Sequence, residues 1–378
     1  MTGNDAIRIG VLFSQSGPMA VTEHAHLQGV LLACEEINQS GAINGRKLDP
    51  VILDPAGSDE RYAELATELL VKHRVNFIFG CCLSTSRKVV LPHVERHNGI
   101  LFYPSVYEGF EYSPNVIYGG AVPNQVVLPL LEYIYRTRGN RIALIGSDTL
   151  FAREINRIVR EFLQESDGKV VVEQYFPFAD QPAQFTPLLR SLANENVSAI
   201  ISTVVGESSV AFYNALEAAG IKGEDLPIAS FTTTEAELIK VSPTGRAGHL
   251  LVAPYFGSLD TTANQSFLAA FKKRYGAETP SVYSQVCYTQ VQMFAEAVRA
   301  GGGVETEDVL SALSGAVFKS PGGDLFLDTD TNHFTMRPLI GRARESGSFD
   351  VAWRCDTVIR PDPYLVGYDR SLKGHLVE

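Results

Sequence analysis

Residues 79–88 read Phe79-Gly80-Cys81-Cys82-Leu83-Ser84-Thr85-Ser86-Arg87-Lys88, and the reading of the whole chain turns on them. Before them runs an apolar stretch, Val75, Phe77, Ile78 and Phe79, which reads as a buried strand. After them come Val89, Val90, Pro92 and Val94 at helical spacing. The strand therefore ends, the chain turns at Gly80, and a helix is predicted to begin near Ser84 or Thr85. Either hydroxyl suits an N-cap, because it accepts a bond from a free first-turn N–H. The other first-turn N–H groups point outward with the positive end of the helix dipole behind them. In an open α/β sheet, ligands sit at such carboxyl ends of strands. Taken alone, the stretch reads equally well as an ordinary capped turn.

Working outward, the same alternation recurs. Ile7, Ile9, Val11 and Leu12 form a first strand, followed by the loop at 14–18 and a helix with Leu27, Val30, Leu31, Cys34 and Ile37 on one face. Val51 to Leu53 is a second strand, a helix is predicted over 59–73, and a strand over 100–103. The aromatic stretch 104–114 reads as a loop. A strand at 116–118 leads to Gly119-Gly120. The alternation then restarts: a helix from Asn124, a strand at 142–145, a helix to Ser166 and a strand at 170–172. A helix at 188–194, a strand at 199–203, a helix from Ser208 and a strand at 228–230 follow. Three helical patterns (266–275, 283–300 and 307–313) and a hairpin-like alternation over 334–353 close the chain. Alternating strands and helices are the mark of parallel sheets covered on both faces.

A chain of 378 residues exceeds one ordinary core. Two rounds of βα units joined near Ala121 imply two similar lobes. The composition, 45% hydrophobic and 20% charged, fits a globular protein. A net charge of −11 argues against direct contact with nucleic acid, which needs a basic face. The first residues, MTGNDAIRIGVLF, lack a basic n-region and a long apolar h-region, so a cytoplasmic location is expected, or a periplasmic one if a leader was trimmed from the natural gene. No run of about 18 apolar residues predicts membrane insertion. Cys34, Cys81, Cys82, Cys287 and Cys355 form an odd, scattered set that does not read as a disulfide framework. Vicinal Cys81 and Cys82 read as small buried filler, with redox activity as the alternative.

Catalytic patterns are missing. There is no P-loop and no G-x-S-x-G elbow. His24 and His26 are two apart, which on a helix puts them on nearly opposite faces. His93 and His97 could face one way, but no third ligand accompanies them. Asp148, Glu154, Glu207, Glu235 and Glu237 fall at predicted loop–helix junctions and are explained as caps and first-turn anions. Nothing pairs a nucleophile with a base, so no enzyme, cofactor or metal is expected. What remains is a set of hydroxyls at strand ends: Ser84, Ser105, Ser147, Thr149, Thr203 and 230–234. Such groups suit a small, uncharged polar ligand, since a fixed charge would call for an Arg or Asp partner.

Several segments resemble one known group: Gly80-Cys81-x-x-Ser84-x-x-Arg87-Lys88, Tyr103-Pro104-x-x-Tyr107-Glu108-Gly109, Gly119-Gly120-x-x-Pro123-Asn124-Gln125, Gly146-Ser147-Asp148, Thr233-Thr234-Glu235-Ala236-Glu237 and Arg360-Pro361-Asp362-Pro363-Tyr364. The chain resembles the amide and urea branch of the leucine-binding-protein family, which includes amide-sensing regulators of amidase operons and urea-binding proteins of ABC transporters. The resemblance implies the type I periplasmic-binding-protein fold: α/β, with two Rossmann-like lobes of parallel sheet joined by three hinge crossings. These map near Ala121, Val252 and 329–332, making residues 1–120 plus 254–330 one lobe and 121–253 plus 331–378 the other. Ligand is expected between the lobes, favouring their closed arrangement.

Carried over position by position, the family pocket falls on Cys82, Ser84, Tyr103, Ser105, Val106, Thr149, Phe151, Thr203, Val205, Thr232 and Thr233. Ser84 would be the main hydrogen-bond partner, and Tyr103 and Phe151 would wall the pocket. The branch carries an aromatic where Cys82 stands and usually a tyrosine where Thr149 stands, so this pocket should be roomier or wetter. The implied function is a non-catalytic sensor of a small neutral amide or urea that signals to an antiterminator-type regulator. The alternative is the substrate-binding subunit of an ABC importer, with a permease as partner, for urea, short amides or branched-chain amino acids. The resemblance also leans towards a homo-oligomer.

Overall fold

The computed structural model describes residues 6–178, 180–192 and 195–367. Its strands are β1 (Ile7–Leu12), β2 (Leu48–Leu53), β3 (Phe77–Gly80), β4 (Ile100–Tyr103), β5 (Val116–Tyr118), β6 (Arg141–Ser147), β7 (Lys169–Phe176), β8 (Ala199–Thr203), β9 (Ile228–Ser230), β10 (Leu250–Ala253), β11 (Val317–Ser320), β12 (Gly323–Asp328), β13 (His333–Thr335), β14 (Leu339–Ala343) and β15 (Phe349–Arg354). They form two sheets. One has the order β11-β12-β13-β5-β4-β3-β1-β2, the other β15-β14-β10-β9-β8-β6-β7.

Each sheet is parallel at its centre and antiparallel at one edge, an edge that the hairpin-like alternation over 334–353 anticipated in the second sheet only. In the first, β12 runs antiparallel to β11 and to β13. In the second, β14 runs antiparallel to β10 and to β15. The reason is connection length. A parallel neighbour needs a crossover, whereas the two-residue turn between β11 and β12 can only make a hairpin. The central strands β3, β4, β8 and β10 are buried throughout, as strands covered on both faces must be.

The chain divides into two units. The first takes the residues up to Ser105, Glu111–Ala121 and Asp260–Thr335. The second takes Val106–Phe110, Val122–Leu259 and the residues from Met336 onward. This differs from the expected lobes at four places, the first being Ala121, which falls in the first unit rather than the second. Residues 106–110 go with the second unit, where the Phe110 N–H donates to the Pro363 carbonyl (2.8 Å) and Arg157 lies 5.4 Å from the Phe110 ring centroid. Residues 254–259 also stay with the second unit, as Phe256 packs 5.2 Å from Phe349. Residues 331–335 stay with the first, because β13 pairs with β12 and β5. Positions 1–5 and 368–378 of the expected lobes, and the end of the helix expected to reach Asn194, lie outside the described residues.

In the first unit Phe79 stacks on Phe102 at 4.4 Å, and Phe294 meets both edge-on at 6.0 Å. Phe294 comes from the helix Val282–Gly301, which lies against the helix Ala20–Gln39. Their backbones approach so closely that a β-carbon at Gly29 would run into the Ser284 carbonyl. The helix expected over 59–73 is α-helical over Asp59–Thr67 and a π-turn over Glu68–Lys72. In the second unit Phe185 packs between Phe176 (4.6 Å) and Phe212 (5.0 Å). No described helix is long and apolar enough to cross a membrane.

Candidate functional site

In the first unit, β1, β3 and β4 are parallel neighbours, so their carboxyl ends share one edge of the sheet. There the chain turns at Gly80, where a β-carbon would lie 2.7 Å from the Leu12 carbonyl oxygen. Cys81 then adopts a left-handed φ of 68°, which is unusual for a residue with a side chain, and its N–H donates to the Leu12 carbonyl at 3.0 Å. The helix begins one residue earlier than a capping hydroxyl would require. Leu83 is the N-cap and Ser84 is the first helical residue, so neither Ser84 nor Thr85 caps it. Thr85 instead donates to Asp59 at 3.2 Å.

Cys82, Ser84, Tyr103 and Ser105 are all buried around this turn. The Tyr103 hydroxyl donates to the Cys82 carbonyl at 2.7 Å, and the Arg87 guanidinium lies 4.6 Å from the Tyr103 ring centroid. Arg87 is fully buried and grips Glu111 through Nε (2.6 Å) and Nη2 (3.3 Å), while Lys88 reaches the same carboxylate at 2.8 Å. Burial opposes ionisation of Glu111, but Arg87 and Lys88 together hold its carboxyl below the usual range. Tyr118, stacked on His333 at 4.1 Å, completes the layer. Ser105 Oγ lies 3.2 Å from His26 Nε2.

The loop after β1 is held by a carboxylate that sequence reasoning missed. Glu23 Oε2 accepts from the Ser14 backbone N–H and from the Tyr62 hydroxyl. Ser14 Oγ is 3.0 Å from that hydroxyl and accepts the Gly57 N–H at 3.0 Å. Burial pushes the Glu23 carboxyl up to about 7, against these bonds, which favour the charged form. The only signal in the sequence was an acidic residue in the first turn of the helix after β1, which reads as an ordinary dipole partner.

In the second unit the carboxyl ends of β6, β8 and β9 are adjacent. Ser147 Oγ accepts the Val205 N–H at 3.2 Å, and Ser202 Oγ accepts the Val204 N–H at 3.3 Å. Ser230 Oγ accepts the N–H groups of Thr232 and Thr233 at 3.0 and 2.9 Å and donates to Thr233 Oγ1 at 3.1 Å. Thr232 donates to the Val204 carbonyl at 3.2 Å. Thr203 is fully buried, with Oγ1 3.4 Å from Asn156 Oδ1. Thr149 caps the helix Leu150–Glu165 by accepting the Ala152 N–H at 3.2 Å. Phe151 and Val205 are buried and Val106 is half-buried. Several expected ligand hydroxyls are thus engaged with their own unit.

The two glutamates after β9 part company. Glu237 is the capping anion it was expected to be, accepting from Thr234 N–H and Oγ1 at 2.8 and 2.7 Å. Glu235 is not an exposed first-turn anion. It is buried, and burial, with Glu237 adding, pushes it up to about 8. Among the described residues no cation contributes to that shift. Burial raises the Tyr255 hydroxyl, just after β10, and the Glu235 charge adds to that rise. Among the described residues no group of three or more His, Cys, Asp or Glu side chains could hold a metal ion.

The sequence profile of the periplasmic binding protein domain matches residues 7–370. The chain belongs to this family. A Leu/Ile/Val-binding protein homologue of Brucella abortus is 23% identical over 345 residues, 82% of this chain and 80% of that protein. The solute-binding protein of an ABC transporter from Rhodopseudomonas palustris, solved with p-hydroxybenzoic acid, superposes with a TM-score of 0.85 at 20% identity, covering 97% of this chain and 100% of that one. The fold is accordingly the type I periplasmic-binding-protein fold. A limonene hydroxylase of Geobacillus stearothermophilus is 33% identical over 122 residues, which is 32% of this chain but 22% of that protein. The Brucella relative is named for branched-chain amino acids and the Rhodopseudomonas protein was solved with an aromatic acid, and neither name mentions an amide or urea.

Proposed function

We propose that this chain is the substrate-binding component of an ABC importer, with a permease as partner, and that its solute presents an ammonium or amide N–H group. The solute-binding residues are, in the first unit, Cys82, Ser84, Tyr103 and Ser105, and, in the second, the strand-end set from Val106 and Thr149 to Thr233, joined by Glu235. The observation that carries the reading is Glu235, a buried carboxyl group to whose state no cation among the described residues contributes. A solute ammonium would supply the opposite charge that burial denies it. Branched-chain amino acids are the first candidates, given the name of the Brucella relative. A permease partner would put the protein outside the cytoplasmic membrane. The second reading, an amide or urea sensor coupled to an antiterminator-type regulator, draws on the motifs over 80–125.

Calorimetry against leucine, isoleucine, valine, acetamide, butyramide, urea and 4-hydroxybenzoate tests the proposal. Binding of an amino acid that weakens by about 1.5–3 kcal/mol in Glu235→Gln is expected, the range for a hydrogen bond to a charged group. Binding confined to short amides or urea would favour the sensor, and an unchanged affinity in Glu235→Gln would remove Glu235 from the site.

A further inference from the structure

We infer that His26 fixes the polarity of Ser105, so that the Ser105 hydroxyl meets a bound solute only as a hydrogen-bond acceptor. The inference rests on the reading that Ser105 belongs to the solute site. His26 Nδ1 lies 2.9 Å from the Thr22 carbonyl oxygen. A carbonyl can only accept, so Nδ1 carries the ring proton. In a neutral imidazole the other nitrogen is then a bare acceptor. Ser105 Oγ, 3.2 Å from Nε2, must donate its single proton there. Two lone pairs remain on Ser105, and no donor does.

The surroundings keep the ring neutral. His26 is fully buried, stacked against Phe13 at 5.1 Å and close to Tyr283 at 4.5 Å. Burial pulls it down to about 3, and neither cause of that shift is a carboxylate. The consequence is a chemical filter. A solute ammonium or carboxamide N–H is complemented at Ser105. A carboxylate or ketone oxygen placed at the same point faces lone pairs and is rejected. A freely rotating hydroxyl would accept or donate as the ligand requires, and the bond to His26 removes that freedom.

Two measurements test this. Nitrogen-15 NMR of the full ligand-free chain at neutral pH should find His26 protonated at Nδ1 and bare at Nε2. A ring protonated at Nε2, or at both nitrogens, overturns the inference whatever the solute is. Calorimetry then compares L-leucine with 4-methyl-2-oxopentanoate, and butyramide with butyrate. Ser105→Ala should weaken the N–H-bearing member of the pair that binds by about tenfold. His26→Phe keeps an aromatic ring in the stack and releases the Ser105 proton. It should narrow the preference for the N–H-bearing member by about tenfold. If Ser105→Ala weakens binding and His26→Phe leaves the preference intact, the site reading stands and the polarity claim falls. If Ser105→Ala changes nothing, Ser105 lies outside the site and the inference falls with it. If wild type binds neither pair, the solute reading fails and the NMR result alone decides the polarity.

Discussion

In the first unit the turn after β3 is backed by the buried Arg87–Glu111 pair and the loop after β1 by the Glu23 carboxylate, whereas in the second unit the turns after β8 and β9 are closed by serine hydroxyls bonding two or three residues away. The partners in the first unit stand far apart in sequence: Arg87 and Glu111 by 24 residues, Glu23 and Tyr62 by 39. In the second, the Ser202 and Ser230 bonds are local, with the Ser147–Val205 and Thr232–Val204 bonds linking neighbouring strand ends. Distant charged partners hold a turn only once the whole unit has packed, and their worth depends on protonation. Local hydroxyl bonds form with the turn itself and do not titrate near neutral pH. The charge-backed turns after β1 and β3 should therefore respond to pH and to single charge deletions, and the serine bonds that close the turns after β8 and β9 should not, although Glu235 beyond them titrates.

The sharpest way to break this contrast is Arg87→Met. Removing the cation leaves Glu111, in a largely buried place, to the half-exposed Lys88. Breaking a buried pair from one side costs about 3–5 kcal/mol. Urea unfolding should read a loss of that size, and a loss near that of a surface pair, about 0–1 kcal/mol, would show that the pair adds nothing.

A second test uses pH. Glu23 rises from the ordinary 4.5 to about 7 on folding, chiefly through burial. The folded chain then keeps a proton that the unfolded chain releases, so stability falls as pH rises through this window. The fall amounts to about 3 kcal/mol at 1.36 kcal/mol per unit. Glu23→Gln should remove that slope, so the wild-type-minus-variant stability should decline between about pH 4.5 and 7 and level off above. A flat difference would mean that Glu23 titrates normally. Glu235 acts in the same direction in both proteins and cancels from the comparison.

The smallest effect is expected in the second unit. Ser230→Ala removes the acceptor of the Thr232 and Thr233 N–H groups and should cost about 1–2 kcal/mol, equally at pH 5 and pH 8. A pH-dependent cost would place a titrating group in that turn and erase the contrast.

The strand–turn–helix around Gly80 was legible because its cues are local: an apolar run, a glycine and a helical period. The β11–β12 hairpin was not read, because Val317 and Phe326 are both exposed and blur the alternation that marks a half-buried strand. The cap at Ser84 was misplaced by one residue, since Leu83, which has no capping side chain, begins the helix. Thr149, expected in the pocket, also caps its helix, a second role that the reading of its position did not assign.

By itself, the sequence determined the α/β class, the repetition in two rounds, and the hydroxyl-bearing strand ends, all of which follow from periodicity and from residue types acting within a few positions. Only the tertiary structure decided that Glu23 and Glu235 are buried, that Arg87 serves Glu111, and that His26 takes the Ser105 proton. Those properties depend on desolvation and on which distant segments are packed together, and a carboxylate or an imidazole looks the same in sequence whether water or protein surrounds it.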